Sequence, residues 1–447
     1  MKVTLDVVEG PHQGRTFAFA EHDTFIVGRA RYAHFHLPQK DQYFSRAHFL
    51  LEVNPPLCRL MDMASTNGTF VNDEKVSQAD LKHNDLIQGG DTVIRVRLEG
   101  AGARSTNRMV GDSMADELPA DEPPTDEPLA DEPKSSEFIT GDEISMTADA
   151  AVEPTVVGEF SLESADTGSD KAGQFAGYQL VRKLGSGGMG IVYQALRDSD
   201  GQTIALKTIK PGVPVSERDA KQFLREASIL RDLNHPHIVR FFESGASAGQ
   251  LYFAMEFVPG HNAGELVKKD GPLPVNRAVG ITCQLLQALD YAHGKQFVHR
   301  DIKPQNIMVS VQNGKDNVKL ADFGLARAYH CTRFSGLTLQ GEMGGSVAFL
   351  PPEHITHYRE AKPSGDLYSA AATLYNLLTG KHVYNFPKVI SERVLMILQD
   401  KPIPITERDP NIRPGLATVI HRSLARNPEK RFPNARAMRQ ALLPFAK

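Results

Sequence analysis

The amino-acid sequence predicts a multidomain chain, in which an N-terminal all-β sandwich is joined by a disordered acidic linker to a C-terminal α+β domain of two lobes. Three observations lead to this fold class. Short alternating apolar segments between turn residues fill residues 1–98, carboxylates and prolines dominate 99–176, and strand patterns followed by helical periodicity fill 177–447. The length of 447 residues also exceeds what one hydrophobic core usually supports.

The N-terminal part has the pattern of short strands. Val3, Leu5 and Val7 alternate with polar residues, and later apolar segments such as 49–51 are separated by Gly, Pro, Asn and Asp. No apolar periodicity of helical length appears in this part. We therefore expect a β-sandwich of about 100 residues.

The linker differs sharply from its neighbours in charge. Residues 101–176 contain 18 Asp and Glu against 4 Lys and Arg, although the whole chain has a net charge of only −4. The triplet Asp-Glu-Pro recurs every five residues at 121–123, 126–128 and 131–133. Such a segment cannot bury enough apolar surface to offset its chain entropy, so we predict an extended spacer. An acidic docking tail is the alternative.

Composition argues against several classes of protein. The small net charge gives no sign of a nucleic-acid partner. Cys58, Cys283 and Cys331 lie far apart, so we expect neither a disulfide framework nor a zinc site. The chain shows no signal-peptide pattern and no apolar run of about 18 residues, so we expect a cytoplasmic protein without a membrane span.

A glycine-rich segment opens the C-terminal domain. Residues 185–192 follow the pattern Gly-x-Gly-x-x-Gly-x-Val, which brings backbone N–H groups close to polyphosphate oxygens. The pattern alone also suits a dinucleotide site or a flexible turn. Lys207, on the apolar strand pattern 204–207, favours a nucleotide phosphate, because a buried ammonium needs anionic partners. Glu226, on the following helical pattern, would be a second partner.

Two further motifs connect this domain with a known family. Residues 299–306 read His-Arg-Asp-Ile-Lys-Pro-Gln-Asn, and residues 322–324 read Asp-Phe-Gly. In order and spacing, the motifs of 177–447 resemble those of bacterial eukaryotic-like serine/threonine protein kinases. The resemblance implies the bilobal protein kinase fold, ATP as the donor and protein Ser or Thr hydroxyls as acceptors. Lysine at position 303 accompanies Ser/Thr specificity in that family.

The resemblance implies a chemical role for each motif residue. Phosphoryl transfer needs an oriented hydroxyl and neutralisation of charge on the transferred group. Asp301 would accept the proton of the substrate hydroxyl, and Lys303 would steady the phosphate. Asn306 and Asp322 would supply the oxygen ligands that Mg²⁺ prefers, with Mn²⁺ as a second candidate ion. The predicted catalytic residues are Asp301, Lys303, Lys207 and Glu226.

The nucleotide pocket is also implied by resemblance. Residues 251–260 resemble the strand and hinge that hold adenine, with Met255 behind the base and backbone hydrogen bonds from Glu256 and Val258. Core packing is a compatible role for Met255. The predicted ATP-binding residues are Leu184, Gly185, Ser186, Gly187, Gly188, Met189, Gly190, Val192, Ala205, Lys207, Met255, Glu256 and Val258.

The segment 323–352 resembles an activation segment. Kinases with an arginine at the position of Arg300 commonly need a phosphate on this segment, which would give the guanidinium a charge-assisted partner. We predict Thr338 as the main autophosphorylation site, and we expect Glu353 to pair with Arg431. The other candidate sites are Ser335, Thr332 and, in the linker, Thr167.

Three motifs in the first part resemble a forkhead-associated (FHA) domain, a β-sandwich that binds phosphothreonine peptides. They are Gly-Arg at 28–29, Ser-Arg-Ala-His at 45–48 and Ser-Thr-Asn-Gly-Thr at 65–69. Guanidinium and hydroxyl groups suit phosphate oxygens, although Asn-Gly is also a strong hairpin signal. His48 is expected to brace the loop. The predicted phosphothreonine-binding residues are Arg29, Ser45, Arg46, Asn67 and Thr69.

A domain that writes phosphothreonine and one that reads it suggest two modes of action. The FHA-like domain could capture the chain's own phosphorylated linker, where Thr167 has Asp170 three positions on, in cis or in trans. It could instead recruit separate phosphorylated proteins. The alternative function is a catalytically silent pseudokinase adaptor. Loss of Lys207, Asp301 or Asp322 would favour that alternative, and all three are present.

Overall fold

The structure is a computed structural model that describes residues 2–36, 43–99, 175–187, 190–209, 229–247, 250–323, 347–357 and 361–447. Residues 100–174 of the predicted linker lie outside these ranges, so its disorder stays a prediction, whereas Glu99 ends a strand and Phe175 is buried. The following residues of the predicted sites also lie outside them: Gly188, Met189, Glu226, Thr167, Thr332, Ser335 and Thr338.

The first domain is built from short strands in two sheets. One sheet has the order β2-β1-β11-β10-β7-β8 and the other β4-β3-β5-β6-β9. The strands are β1 (Lys2–Glu9), β2 (Thr16–Phe19), β3 (Asp23–Gly28), β4 (Phe35–His36), β5 (Phe49–Asn54), β6 (Leu57–Asp62), β7 (Thr69–Val71), β8 (Glu74–Val76), β9 (Gln78–Asp80), β10 (Leu86–Gly89) and β11 (Thr92–Glu99).

The two sheets of this domain share one apolar core. Val3, Leu5 and Val7 of β1 are at most 2 % exposed, as their alternation predicts. They lie in the same buried cluster as Phe25 and Val27 of β3, which belongs to the second sheet. The predicted β-sandwich is therefore confirmed.

The second domain begins with an antiparallel sheet of order β12-β13-β14-β16-β15. Its register brings the predicted nucleotide residues of neighbouring strands side by side. Val192 is paired with Lys207 across β13 and β14, and Ala205 is paired with Met255 across β14 and β16. The strands are β12 (Tyr178–Gly187), β13 (Gly190–Arg197), β14 (Thr203–Ile209), β15 (Phe241–Ser247) and β16 (Gln250–Glu256).

The lower lobe that follows is mainly helical, with a small sheet of order β17-β18-β19. Of the helix predicted over 219–233, the described end Ile229–Asp232 is a 3-10 helix. The strands are β17 (His261–Asn262), β18 (Ile307–Gln312) and β19 (Lys315–Leu320). The α-helices are α1 (Ala263–Asp270), α2 (Val275–Gly294), α3 (Pro352–Thr356), α4 (Pro363–Thr379), α5 (Ile390–Gln399), α6 (Ile405–Arg408), α7 (Pro414–Ser423) and α8 (Ala435–Leu442).

Helix α4 forms the centre of the lower lobe. Every residue from 365 to 378 is buried, which is the pattern of a helix enclosed by neighbours on all sides. Pro363 occupies its first turn, where the missing N–H costs no hydrogen bond. Gly380 ends the helix in the left-handed conformation with φ of 67°. The helices predicted over 278–293 and 366–378 are both confirmed.

Arg431 ties several segments of the lower lobe together. Its side chain is fully buried, and its Nη2 donates to Glu353 Oε2 over 2.9 Å, as predicted. Its other nitrogens donate to backbone carbonyls, including those of Ser364 at 2.9 Å and Ala425 at 2.7 Å. The guanidinium thus satisfies groups that would otherwise be buried without partners.

Among the described residues, no helix combines the length and the apolar character needed to cross a membrane.

Replacing Arg431 by Ala should lower the free energy of unfolding by about 3–5 kcal/mol, because it removes a buried guanidinium and leaves the partly buried Glu353 carboxylate and several carbonyl groups without their partner. Chemical denaturation followed by circular dichroism measures the change. Arg436→Ala is the matched control, since it removes an exposed pair with Asp290 and should cost about 0–1 kcal/mol. Equal losses in the two variants would contradict the role given to Arg431.

Candidate active site and N-terminal loops

The glycine-rich turn lies between β12 and β13. Gly185 is paired with Val192, and Gly187 with Gly190, so the described ends of the turn are held in register by the two strands. Gly190 has φ of 144°, a backbone conformation that residues with a Cβ rarely adopt. Leu184 is 38 % exposed beside this turn. An apolar side chain left partly open next to a backbone-lined turn suits contact with a ligand.

Lys207 meets Asp322 below the sheet. The lysine is 6 % exposed, and its Nζ donates to Asp322 Oδ2 over 2.8 Å. Burial by itself raises the pKa of Asp322, but the Lys207 ammonium outweighs it and the pKa lies below its ordinary value. Asp322 also has φ of +59°, an unusual backbone conformation for a residue with a side chain.

Asp301, Lys303 and Asn306 converge on one carboxylate. Lys303 Nζ donates to Asp301 Oδ2 over 2.8 Å, and Asn306 Nδ2 donates to the same oxygen over 3.0 Å. Asn306 Nδ2 also donates to the backbone oxygen of Asp301 at 2.8 Å. The short 3-10 helix Pro304–Asn306 folds the chain back so that these side chains meet. A negatively charged oxygen is therefore held beside a cation and an amide.

The loop that carries Asp301 is anchored by Asp366, at the start of α4. The Asp366 carboxylate is fully buried and accepts the backbone N–H groups of His299 at 2.8 Å and Arg300 at 2.9 Å. His293 Nε2 lies 2.8 Å from the same carboxylate. Burial by itself raises the pKa of Asp366, but the contact with His293 and the backbone N–H groups hold it below its ordinary value.

His299 links this loop to the segment that carries Asp322. Its Nε2 lies 2.9 Å from the oxygen of Ala321, and its Nδ1 accepts the backbone N–H of Asp301 at 3.2 Å. Because Nδ1 accepts, Nε2 carries the proton and donates. The ring of Phe323 packs edge-on against His299 at 4.7 Å between centroids. The sequence analysis assigned no role to His299, His293 or the Asp366 carboxylate. The one feature of the sequence that could have indicated them is a polar residue within an apolar pattern.

The predicted hinge lies at the end of β16. Met255 is half-buried against the core of the lower lobe, and Val258 is 8 % exposed. The Glu256 carboxylate accepts from Lys319 Nζ at 2.9 Å and from the backbone N–H of Arg240 at 3.1 Å. The Glu256 side chain is thus committed to joining the hinge to β19.

In the N-terminal domain, the loops that carry the three motifs lie together. The Ser45 hydroxyl accepts the backbone N–H of Thr66 over 2.9 Å. His48 is fully buried, accepts the Ser45 N–H at 3.0 Å and lies 3.1 Å from the Gly68 oxygen, so the predicted bracing role is confirmed. A Cβ at Gly28 would lie 2.4 Å from the oxygen of Arg46, so only glycine fits there.

The predicted phosphothreonine residues divide into exposed and buried groups. Arg29, Arg46 and Asn67 are exposed, and Asn67 Nδ2 donates to the Tyr43 oxygen at 2.8 Å. Thr69 is fully buried and donates its hydroxyl to Asp62 Oδ1 at 2.6 Å. Its burial argues against direct contact with a peptide and favours a supporting role. Sequence reasoning missed Asp62, which also accepts the backbone N–H of Ser65.

A cavity of about 420 Å³ opens next to these loops. It is lined by aromatic, amide and acidic side chains together with two glycines. The two carboxylates, Asp73 and Asp91, give this cavity a negative lining, in contrast to the guanidinium groups of Arg29 and Arg46. The lining residues are Tyr43, Asn67, Gly68, Phe70, Asp73, Gln88, Gly90 and Asp91.

Two family models match this chain. Residues 178–443 match the family model described as Protein kinase domain, and residues 25–90 match the one described as FHA domain. The first match covers more than half of the chain, so this chain belongs to the protein kinase family and carries an FHA domain at its N-terminal side.

The similar curated proteins are bacterial kinases. Serine/threonine-protein kinase PknD of Mycobacterium tuberculosis is 36% identical over 262 residues, covering 59% of this chain and 38% of PknD. Serine/threonine-protein kinase pkn3 of Myxococcus xanthus is 33% identical over 269 residues, covering 59% of this chain and 49% of pkn3. The chain therefore spans less than half the length of either relative.

One of the similar solved structures is matched over the full length of both chains. The crystal structure of Rad53 1–466 in complex with AMP-PNP matches with a TM-score of 0.50 and 20% sequence identity, covering 100% of both chains. At this identity the likeness concerns the fold alone.

Asp366→Asn should weaken the anchor of the loop 299–301 and lower stability at neutral pH. The native carboxylate has a depressed pKa, so its contribution is complete above the unfolded value of about 3.9 and is lost as the pH falls below it. The difference in stability between wild type and variant should therefore shrink below about pH 4. Denaturation midpoints at several pH values measure it; a constant difference from pH 7 to pH 3 would refute the anchor.

Proposed function

We propose that this protein is a serine/threonine protein kinase that transfers the γ-phosphate of ATP to protein hydroxyls, and that its FHA domain reads phosphothreonine. The observation that carries the first half is the convergence of Lys303 and Asn306 on the Asp301 carboxylate, together with the Lys207–Asp322 pair. Such an arrangement positions a proton acceptor beside cations that neutralise phosphate charge.

Each of these residues has a chemical part in the transfer. The Asp301 carboxylate accepts the hydrogen bond of the substrate Ser or Thr hydroxyl and takes its proton as the new P–O bond forms. Lys303, now 2.8 Å from that carboxylate, contacts the transferred phosphoryl group as its charge is redistributed. Lys207 holds the phosphates of ATP beneath the glycine-rich turn. ADP leaves with the electron pair of the broken P–O bond.

Asn306 and Asp322 fit a divalent cation. Asn306 donates from its amide nitrogen to Asp301, which leaves the amide oxygen as an acceptor, and the depressed pKa of Asp322 keeps its carboxylate charged. Mg²⁺ in proteins is commonly held by one or two such oxygens with substrate phosphates and water. When bound, the ion neutralises phosphate charge. The oxygen-only donor set favours Mg²⁺, and Mn²⁺ has the same preference.

Arg300 supports control by phosphorylation of the segment 323–352. Within the described part of the chain, its buried Nε has no hydrogen-bond partner, and its backbone has φ of +72°. A phosphate on Thr338 would satisfy this guanidinium with a charge-assisted hydrogen bond. We therefore keep Thr338 as the proposed main autophosphorylation site, with Ser335 and Thr332 as the neighbouring candidates.

Asp301→Asn should abolish phosphoryl transfer by this protein. The amide keeps the shape of the side chain but cannot take the substrate proton, so incorporation of labelled γ-phosphate from ATP with Mg²⁺ should fall by about 10²–10⁴-fold. Phosphopeptide mapping of the wild-type product should find label on Thr338.

Asp290→Asn is the matched control, because Asp290 pairs only with the exposed Arg436 among its described contacts. It should retain wild-type incorporation. Absence of label in both wild type and variants, with generic protein substrates supplied, would favour the pseudokinase adaptor. Label in active wild type that spares Thr338 would reject that site alone.

Arg46→Ala should remove phosphothreonine binding by the FHA domain. A peptide of residues 333–343 phosphorylated at Thr338 serves as the probe in a calorimetric titration with the full-length chain. Loss of a charge-assisted contact to phosphate should weaken binding by about tenfold or more. Arg95→Ala, an exposed arginine on β11, should bind as wild type does. Equal binding by Arg46→Ala and Arg95→Ala would remove Arg46 from the site.

The same titration compares the two sources of phosphothreonine. A peptide of residues 162–172 phosphorylated at Thr167 carries Asp170 three positions on. If that residue enters the cavity, Asp73 and Asp91 repel it, so we propose that the linker peptide binds more weakly than the Thr338 peptide. Tighter binding of the linker peptide would instead support capture of the chain's own linker.

A further inference from the structure

The sheet β4-β3-β5-β6-β9 of the FHA domain buries both of its faces. Phe49 and Leu51 of β5 point into the core of the sandwich, whereas Leu50 between them belongs to a different buried cluster. The six residues of β5 are all buried. An antiparallel sheet of a free sandwich commonly keeps one face in water, with polar side chains on it. The outward side of β5 is instead covered, since Leu50, Glu52 and Asn54 are all buried.

One end of the outward face is apolar, and the other end carries the polar residues Glu52 and Asn54. Ile26, Leu50 and Met61, on three adjacent strands, are at most 3 % exposed and lie in one hydrophobic cluster with the lower lobe of the kinase domain, including Ile355 of α3. The FHA residues in this cluster are Ile26, Ala33, Ala47, Leu50, Met61 and Met63. Left in water, this face would be an exposed apolar patch of the kind that marks an interaction site.

Polar contacts surround the apolar centre. Thr24 Oγ1 donates to the Ile355 oxygen over 2.8 Å, and Gln399 Nε2 of α5 donates to the Tyr32 hydroxyl over 3.0 Å. His34 Nδ1 accepts the Ile26 N–H, so its Nε2 carries the proton and donates to the Thr356 oxygen. An apolar centre with a polar rim is the anatomy of a specific interface.

On the kinase side, the contacted helix α3 directly follows the segment 323–351. Glu353 on this helix is held by the buried Arg431. His354 packs against Gly365, where a Cβ would lie 2.5 Å from His354 Nε2, and Gly365 precedes the anchoring Asp366. The docked surface is therefore continuous, through packed groups, with the residues that hold the catalytic loop.

On the FHA side, the interface reaches the phosphothreonine loop. Ala47 lies in the covered face, and the adjacent Arg46 is exposed. Burial raises the pKa of the Tyr32 hydroxyl, and Arg46 and Arg426 oppose that rise, so cations of both domains lie near the same interface side chain. A phosphopeptide that binds Arg46 would therefore lie at this edge of the interface.

We propose that the outward face of β3, β5 and β6 is a docking surface for this chain's own kinase domain, seated on α3, and that phosphothreonine bound at the adjoining loop acts on α3 through it. The docking is supported by the shared apolar cluster and by the rim hydrogen bonds. The coupling rests on the proposed reading function of the FHA domain. The FHA domain thereby becomes part of the support of helix α3, which follows the segment 323–351.

Met61→Arg in the full-length chain tests the docking. Its side chain points away from the sandwich core, so the charge should separate the domains while the FHA fold persists. Amide hydrogen exchange of residues 352–357 should become about tenfold faster or more, because the helix loses its cover. Leu86→Arg is the matched control, since Leu86 is 36 % exposed on the other sheet. In this variant, amide exchange of residues 352–357 should equal that of wild type.

Retained binding of the Thr338 phosphopeptide shows that Met61→Arg has kept the FHA fold. Unchanged exchange in a variant that still binds the peptide would overturn the docking. Should Met61→Arg lose peptide binding, the milder double variant Thr24→Val, Gln399→Ala decides in its place, because it removes only two of the three rim hydrogen bonds. Faster exchange at 352–357 supports the docking, and unchanged exchange overturns it.

The coupling is tested by adding the same peptide at saturation. Exchange at 352–357 should change in wild type and stay constant in Met61→Arg. Binding without any change in wild type would overturn the coupling and leave the reading function intact. Absence of peptide binding in wild type would overturn the coupling together with the proposed reading of Thr338, while the docking would still be decided by Met61→Arg alone.

Discussion

One buried carboxylate, Asp366, supports the geometry of the candidate active site. Burying a charge is costly unless hydrogen bonds replace its water, and Asp366 recovers this cost through His293 and two consecutive backbone N–H groups. Those N–H groups belong to His299 and Arg300. Asp366 therefore holds the loop at the residue with an unfavourable backbone conformation, since Arg300 has a positive φ of 72°. A strained backbone persists only when its surroundings over-determine it. The position of Asp301 follows directly from this anchor.

The two domains use the same physical plan. In each, charged side chains that we propose to contact a ligand, such as Asp301 and Arg46, lie on loops, and a buried polar group ties those loops to the scaffold. His48 plays this part in the FHA domain, because it bonds to Ser45 on one loop and to Gly68 on the other. Asp62 adds support through Ser65 and Thr69. Preorganised loops lower the entropy that binding must overcome.

The interface between the domains covers one face of the FHA sandwich. A strand such as β5, buried on both faces, belongs to a sheet that is complete only when its outer face is covered. Helix α3 provides that cover and is itself fixed by Arg431 and Glu353. Helix α3 therefore contacts the FHA domain, for which we propose phosphothreonine recognition, and also packs against Gly365, next to the Asp366 that holds the loop 299–301. This arrangement gives the two proposed activities a physical connection within one chain.

The sequence by itself identified the family and the fold class, and it predicted the charged residues proposed for both sites, because phosphate chemistry demands specific groups in a fixed order. It also indicated the Glu353–Arg431 pair, and the structure bears this out. It did not indicate Asp366 or His293, because their pairing joins segments distant in the chain. It also did not indicate that Thr69 is buried with its hydroxyl on Asp62. The sequence also did not indicate the docking surface on β3, β5 and β6. Consecutive apolar residues predict a buried strand, but only the tertiary structure decides which surface buries it.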